Sequence, residues 1–324
     1  MKKLWPLVLL LAACTGSQEP SLPALVAAGS GEKVGFFRAK GLQGGAAAPV
    51  ATWPAPGLQD LAYAGAFRKL YLLFPDRLEA YATSDFNEAS VPQGSPVVRA
   101  LPADCTGGYL RLGQNRLLVH CPGAQKAFLL GLPDPGTPQE ADLTGLDPAA
   151  HLALLPQGGL DLLAYLTPAA MGFRPAQDPE ATPRLEKPLD PPLQTPLDLR
   201  ADGQGRLLGL GATPTEVRLY ALQGEVVSSR KVLGDFPGEA RLALDPAVGL
   251  VVYGRGFQAL EPRDSGPQEV YTAFAAGLVG QDGYLYLAAG TPLSVYDLVP
   301  SPPQRVAAPS LDFAPKALAF LPVQ

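Results

Sequence analysis

The sequence predicts an all-β protein: a seven-bladed β-propeller closed by one blade that the two ends of the chain share. Three observations predict it. A unit of three short apolar strands recurs along the chain, Pro and Gly interrupt nearly every window a helix would need, and the two ends carry complementary fragments of one further unit.

The repeat is clearest in the second half. Leu197 to Leu210, turning at Asp202-Gly203, is followed by the strand Val217 to Leu222. Leu242 to Pro246 leads to Leu250 to Tyr253 and then Phe257 to Leu260. Leu278 leads through Asp282-Gly283 to Tyr284 to Leu287 and Leu293 to Leu298. Looser copies precede these: Asp60 to Tyr63, Lys69 to Phe74 and Arg77 to Tyr81; Tyr109 to Leu112, Arg116 to Cys121 and Lys126 to Leu130; His151 to Leu155, Leu160 to Leu166 and Ala170 to Phe173. The six units start roughly 35 to 50 residues apart, the period of propeller blades. The seventh is split. Lys316 to Leu321 reads as a first strand, and Ala24 to Gly29 with Lys33 to Phe37 as the second and third. Joining them closes the ring and pairs edges that otherwise invite aggregation.

Composition agrees with many strands and turns. The 324 residues include 36 Pro and 35 Gly, without a collagen period. A hydrophobic content of 47% excludes wholesale disorder. A net charge of −5 with only 17% charged residues excludes a nucleic-acid backbone binder, which needs a basic surface.

The N-terminus carries an address. Lys2 and Lys3 precede an apolar run, Leu4 to Ala13, that is too short for a bilayer core of about 30 Å. It ends in Leu11-Ala12-Ala13-Cys14, which resembles the bacterial lipobox. The resemblance implies cleavage before Cys14 and lipidation of that cysteine, with several acyl chains giving a stable anchor. Thr15 rather than Asp follows Cys14, which in that family implies the outer membrane, periplasmic face, over the inner membrane. The expected organisation is a signal peptide (1–13), a lipidated tether (14–23) and one propeller domain (24–324). An exported domain sits in an oxidising compartment, so the remaining pair, Cys105 and Cys121, is expected to form a structural disulfide across the hairpin at Gly113-Gln114-Asn115.

The Asp202-Gly203 and Asp282-Gly283 turns before Arg206-Leu207-Leu208 and Tyr284-Leu285-Tyr286 resemble the repeats of YVTN-type and WD40-like propellers. The Gly-His and Trp-Asp marks of WD40 blades are absent. The per-blade tryptophans of quinone-binding propellers are absent too, since the two tryptophans are Trp5 and Trp53. Asn occurs only at positions 87 and 115, which departs from the calcium-dependent lactonase propellers.

Catalytic signatures are missing: there is no G-x-S-x-G, no H-E-x-x-H and no P-loop. Gly254-Arg255-Gly256-Phe257-Gln258-Ala259 formally fits a dinucleotide fingerprint, but the repeat places a hairpin turn there and Pro262 follows. Two histidines cannot make a three-ligand metal site, so neither a metal nor a cofactor is expected. His120 reads as a structural residue, and Tyr220, Tyr253, Tyr286 and Tyr296 as blade packing. The candidates for ligand contact are polar residues flanking innermost strands: Asp60, Arg111, His151, Asp198, Arg200, Arg241 and Lys316. Several are cationic, which suits an anionic small molecule or acidic peptide. Pro175 to Pro196 reads as a long inter-blade connection and a candidate partner loop.

These readings favour a membrane-anchored binding or scaffold module that recognises an envelope protein, peptide or polymer through a propeller face. A lactone- or carbohydrate-directed hydrolase or lyase at the channel mouth is the enzyme alternative. An outer-membrane assembly factor is the third.

Overall fold

The computed structural model describes residues 23–232, 240–269 and 273–323; the signal peptide, Cys14 and nearly all of the tether lie outside them. Seven four-stranded antiparallel sheets surround a central channel. Blade 1 runs, from the channel outward, Ala317–Pro322, Ala24–Gly29, Lys33–Arg38 and Ala51–Pro54. Blade 2 is Asp60–Ala64, Lys69–Leu73, Arg77–Ala82 and Val97–Ala100. Blade 3 is Tyr109–Leu112, Arg116–Cys121, Lys126–Gly131 and Gln139–Glu140. Blade 4 is His151–Gln157, Leu160–Leu166, Ala170–Arg174 and Leu185–Pro188. Blade 5 is Thr195–Ala201, Arg206–Ala212, Val217–Gln223 and Val226–Lys231. Blade 6 is Arg241–Asp245, Gly249–Tyr253, Gly256–Glu261 and Pro267–Glu269. Blade 7 is Ala276–Val279, Tyr284–Ala288, Leu293–Asp297 and Gln304–Ala307. Blade 1 joins the chain ends: Ala24 to Gly29 pair in register with Pro322 back to Ala317.

The second strands explain the apolar runs of the sequence. Gly249 to Tyr253 and Leu117 to Cys121 are buried throughout, because each sheet is covered on both faces. The core is accordingly divided into seven clusters, one at each blade interface. Leu25, Val34 and Trp53 of blade 1 meet Leu61, Leu70 and Leu72 of blade 2. On its other face blade 1 presents Val26, Ala28 and Phe37 to Tyr286 and Val295 of blade 7. Alternate residues of one strand thus serve two interfaces.

Every blade has a fourth, outer strand that the three-strand repeat did not predict. These strands are short and largely exposed, as in Val97–Ala100 and Gln304–Ala307, so no apolar alternation marks them. Pro175 to Pro196 is corrected in the same way. It is not a plain connection: it contributes the outer strand Leu185–Pro188 and buries Leu189 and Leu193 against blades 4 and 5. Gly254 to Gly256 forms the predicted hairpin turn, with Gly254 N–H donating to Gly256 O. Helix is confined, among the described residues, to Ala39–Gln43 and two short 3-10 turns. No helix among the described residues is long and apolar enough to cross a membrane.

Cys105 and Cys121 form a disulfide, 16 residues apart with Cα atoms 4.3 Å from each other. Both are fully buried, and the bond ties the loop entering blade 3 to the end of its second strand. Closing a loop of about 15 residues stabilises a fold by about 3 kcal/mol. The double variant Cys105→Ala, Cys121→Ala is expected to lose stability of that order in urea unfolding. An unchanged unfolding midpoint would show that the bond is dispensable.

Candidate functional site

Each innermost strand starts at the same mouth of the channel, so residues at those starts converge although they are far apart in sequence. Asp60, Arg111, His151, Asp198, Arg200, Arg241 and Lys316 all line one central cavity of ≈ 1220 Å³. The sequence reading missed three partners in it: Tyr109, His120 and Tyr253. The signal that could have found them is positional. Tyr109 begins an innermost strand as Asp60, His151 and Arg241 do, and His120 and Tyr253 pair with Tyr109 and Arg241 across the first hairpins. Tyr253 is therefore both packing and channel wall. Its ring fits because residue 277 is Gly; a Cβ there would lie 2.6 Å from it.

Polar side chains at the mouth also fasten one blade to the next. Asp60 accepts the N–H of Leu110 at 2.8 Å, Tyr109 Oη accepts the N–H of Leu152 at 2.9 Å, and Asp198 accepts the N–H of Leu242 at 3.0 Å. Asp198 is the hub. Its carboxylate is fully buried and receives Arg111 Nη2 at 2.8 Å, Arg200 Nε at 3.3 Å and its neighbour Leu199 N–H at 2.8 Å. Burial opposes its charge, but the Arg200 and Arg111 guanidinium groups outweigh burial and hold the carboxyl well below the usual range. Asp60 has no such ion pair among the described residues, and burial pushes its carboxyl up.

Arg111 is largely committed, donating also to the carbonyls of Leu110 at 2.9 Å and Leu199 at 3.4 Å while lying over the Tyr109 ring at 4.2 Å. Arg200 commits only Nε, and its side chain stays 33% exposed to the channel. Arg241 donates to Ala240 O, and neither it nor Lys316 has a carboxylate partner among the described residues. With Arg68 and Asp245, which also line the cavity, five cations face three carboxylates, which leaves a net of two positive charges in a chain whose overall charge is −5.

The histidines flank Tyr109. The His151 ring stacks on it with centroids 6.1 Å apart, and His120 meets it edge-on at 4.9 Å. His120 was read as a satisfied structural residue; its Nδ1, like that of His151, is buried and makes no hydrogen bond. Burial, first, and the neighbouring cations push both rings down to about 4. Both are neutral at pH 7. Among the described residues no cluster of three or more His, Cys, Asp or Glu is placed to hold a metal.

Seven blades with a cation-rich polar channel define the class of this molecule, a single-ring β-propeller with a ligand-sized central cavity. Solved structures similar to it share the fold. A putative 6-phosphogluconolactonase from Bacteroides fragilis superposes with a TM-score of 0.63 at 13% identity, covering 95% of this chain and 100% of that one. One from Bacteroides uniformis gives 0.62 at 13%, covering 93% and 100%. Apo AztD from Citrobacter koseri gives 0.56 at 13%, covering 92% and 97%. No protein-family model matches the sequence, and no curated protein matches it.

Two outcomes test the electrostatics. Asp198→Ala strands the largely buried Arg111, the partly exposed Arg200 and two backbone N–H groups, so it is expected to cost about 3 kcal/mol of stability; a neutral effect on chemical denaturation would remove Asp198 as hub. The depressed histidines set the sign of acid sensitivity. Their folded-state values of about 4 lie below the ordinary 6.5. The stability they contribute is complete above pH 6.5 and is lost as pH falls through about 4. His120→Phe is expected to flatten the stability profile in that window.

Proposed function

We propose that this protein is a lipid-anchored envelope protein whose propeller binds a small anionic solute at the channel mouth. The carrying observation is the convergence of Arg200, Arg241 and Lys316, with donors uncommitted, around the open central cavity. A cavity of ≈ 1220 Å³ suits a molecule bearing a carboxylate or phosphate better than a broad protein face does. Arginine forks recognise such groups through paired, charge-assisted hydrogen bonds. Anchoring rests on Leu11-Ala12-Ala13-Cys14, so Cys14→Ser is expected to abolish acyl-chain incorporation and release the protein from the membrane fraction.

Calorimetric titration with inorganic phosphate, a sugar phosphate, a sugar acid and a neutral sugar checks the binding reading. The small anions are expected to bind and the neutral sugar not. Arg241→Ala and Lys316→Ala are each expected to weaken binding about tenfold, the equivalent of 1.4 kcal/mol. A bound anion favours the protonated histidines, so affinity is expected to rise as pH falls from 6.5 towards 4. Equal affinity for the neutral sugar, or affinity indifferent to both substitutions, would sink this reading.

A second reading has its own observation. Two neutral histidines, His120 and His151, line the cavity beside its cations, and a neutral imidazole can accept a proton from water attacking a lactone carbonyl. The Bacteroides proteins, described as putative 6-phosphogluconolactonases, lend it support at the level of fold alone. Hydrolysis of a phosphorylated sugar lactone that His151→Gln slows in kcat with little change in KM would favour catalysis over binding.

A further inference from the structure

The propeller has two unlike faces, and the chain leaves it from only one. The innermost strands begin at the mouth carrying Asp60, Tyr109, His151, Arg241 and Lys316, so their ends define the opposite face. Ala24 pairs with Pro322, the end of an innermost strand, and Val323 N–H donates to Pro23 O. Pro23, the first described residue, therefore lies on the face opposite the mouth.

That same face carries the most exposed large apolar side chains among the described residues. Leu160, 57% exposed, sits at the tip of the first hairpin of blade 4. Val226, 68% exposed, sits at the tip of the outer hairpin of blade 5. Val299, 77% exposed, follows the third strand of blade 7 at the same end. The other two such residues, Val98 and Val306, lie on outer strands of the rim, and none flanks the mouth. A shallow cavity of ≈ 210 Å³ walled by Val248, Pro262, Leu298 and Val299 adjoins the last tip.

We infer that the propeller rests on the bilayer through this face, its three apolar tips seated at the lipid surface and its channel mouth turned away from the membrane. The inference depends on the reading of Cys14 as the anchor. Eight residues separate Cys14 from Pro23, and the nine steps between them reach at most about 30 Å when fully extended. To present the mouth to the lipid, the tether would have to cross two outer strands at about 4.8 Å each and then climb a strand of about 20 Å. That path consumes its whole length. Three isolated tips on separate blades fit a flat, deformable surface; a protein partner would call for a contiguous patch. The acidic residues beside them are paired with cations, Glu225 with Lys187 and Glu180 with Arg184, so these tips carry no free positive charge that would call for an anionic lipid, and a zwitterionic surface is the match.

The full-length lipoprotein, reconstituted in phosphatidylcholine vesicles, tests this. Val226→Cys, Val299→Cys and Ala149→Cys, the last at the mouth, each receive a fluorophore, and the vesicles carry nitroxide lipids as quenchers. Loss of fluorescence at positions 226 and 299 but not at 149 is the expected result. Protein that floats with its vesicles yet is quenched equally at all three sites, or only at 149, overturns the orientation while leaving the anchor intact. Protein that does not float overturns the anchor reading and the orientation with it. Charging all three tips, with Leu160→Asp, Val226→Asp and Val299→Asp, is expected to lower quenching of a label on the neighbouring Glu225→Cys without detaching the protein. Unchanged quenching there would also overturn the inference.

Discussion

The constraint on which everything else depends is the double burial of each sheet. A blade's two faces pack against different neighbours, so no blade has a core of its own and every apolar cluster belongs to an interface. Such a stack must close on itself or leave two apolar faces in water. Pairing Ala24 to Gly29 with Ala317 to Pro322 makes the last interface possible, and it couples the two ends of the chain in one sheet. The innermost strands are then held at a separation wide enough for a polar channel.

The channel in turn depends on the polar ties between innermost strands. Asp198 accepts hydrogen bonds from two backbone N–H groups and two arginines that start on different blades. A carboxylate so surrounded stays ionised despite burial, because the cations outweigh desolvation. Arg111 spends its guanidinium on this bridge, and the remaining cations are left facing open space. Residues of one chemical type are thereby divided between those spent on the structural bridge and those whose donors face the open channel.

The repeat, the split blade and the Cys105–Cys121 pair were legible in the sequence, since each leaves a local mark: an alternating or continuous apolar run, a Gly-bearing turn, a hairpin of suitable length. The outer strands were not. Gln139–Glu140 and Pro267–Glu269 are short and polar, and only hydrogen bonding to the strand inside them makes them strands at all. Pro175 to Pro196 looked like a free loop for a related reason: its buried leucines, 189 and 193, flank Asp190-Pro191-Pro192, and the prolines break any periodic run.

The site divides similarly. From the sequence alone came the polar positions on and beside the innermost strands, because one blade period predicts where each strand meets the channel. That was enough to name Asp60, Arg111, His151, Asp198, Arg200, Arg241 and Lys316, and enough to note their positive balance. Only the tertiary structure decided which charges cancel. Arg111 and Asp198 are 87 residues apart and meet across the channel, a distance no local pattern encodes. Only the ring brings His120 and His151 to the two sides of Tyr109 and removes water from both, and that loss of water keeps them neutral. Strand geometry is a property of neighbouring residues, whereas desolvation and ion pairing are properties of the assembled cavity.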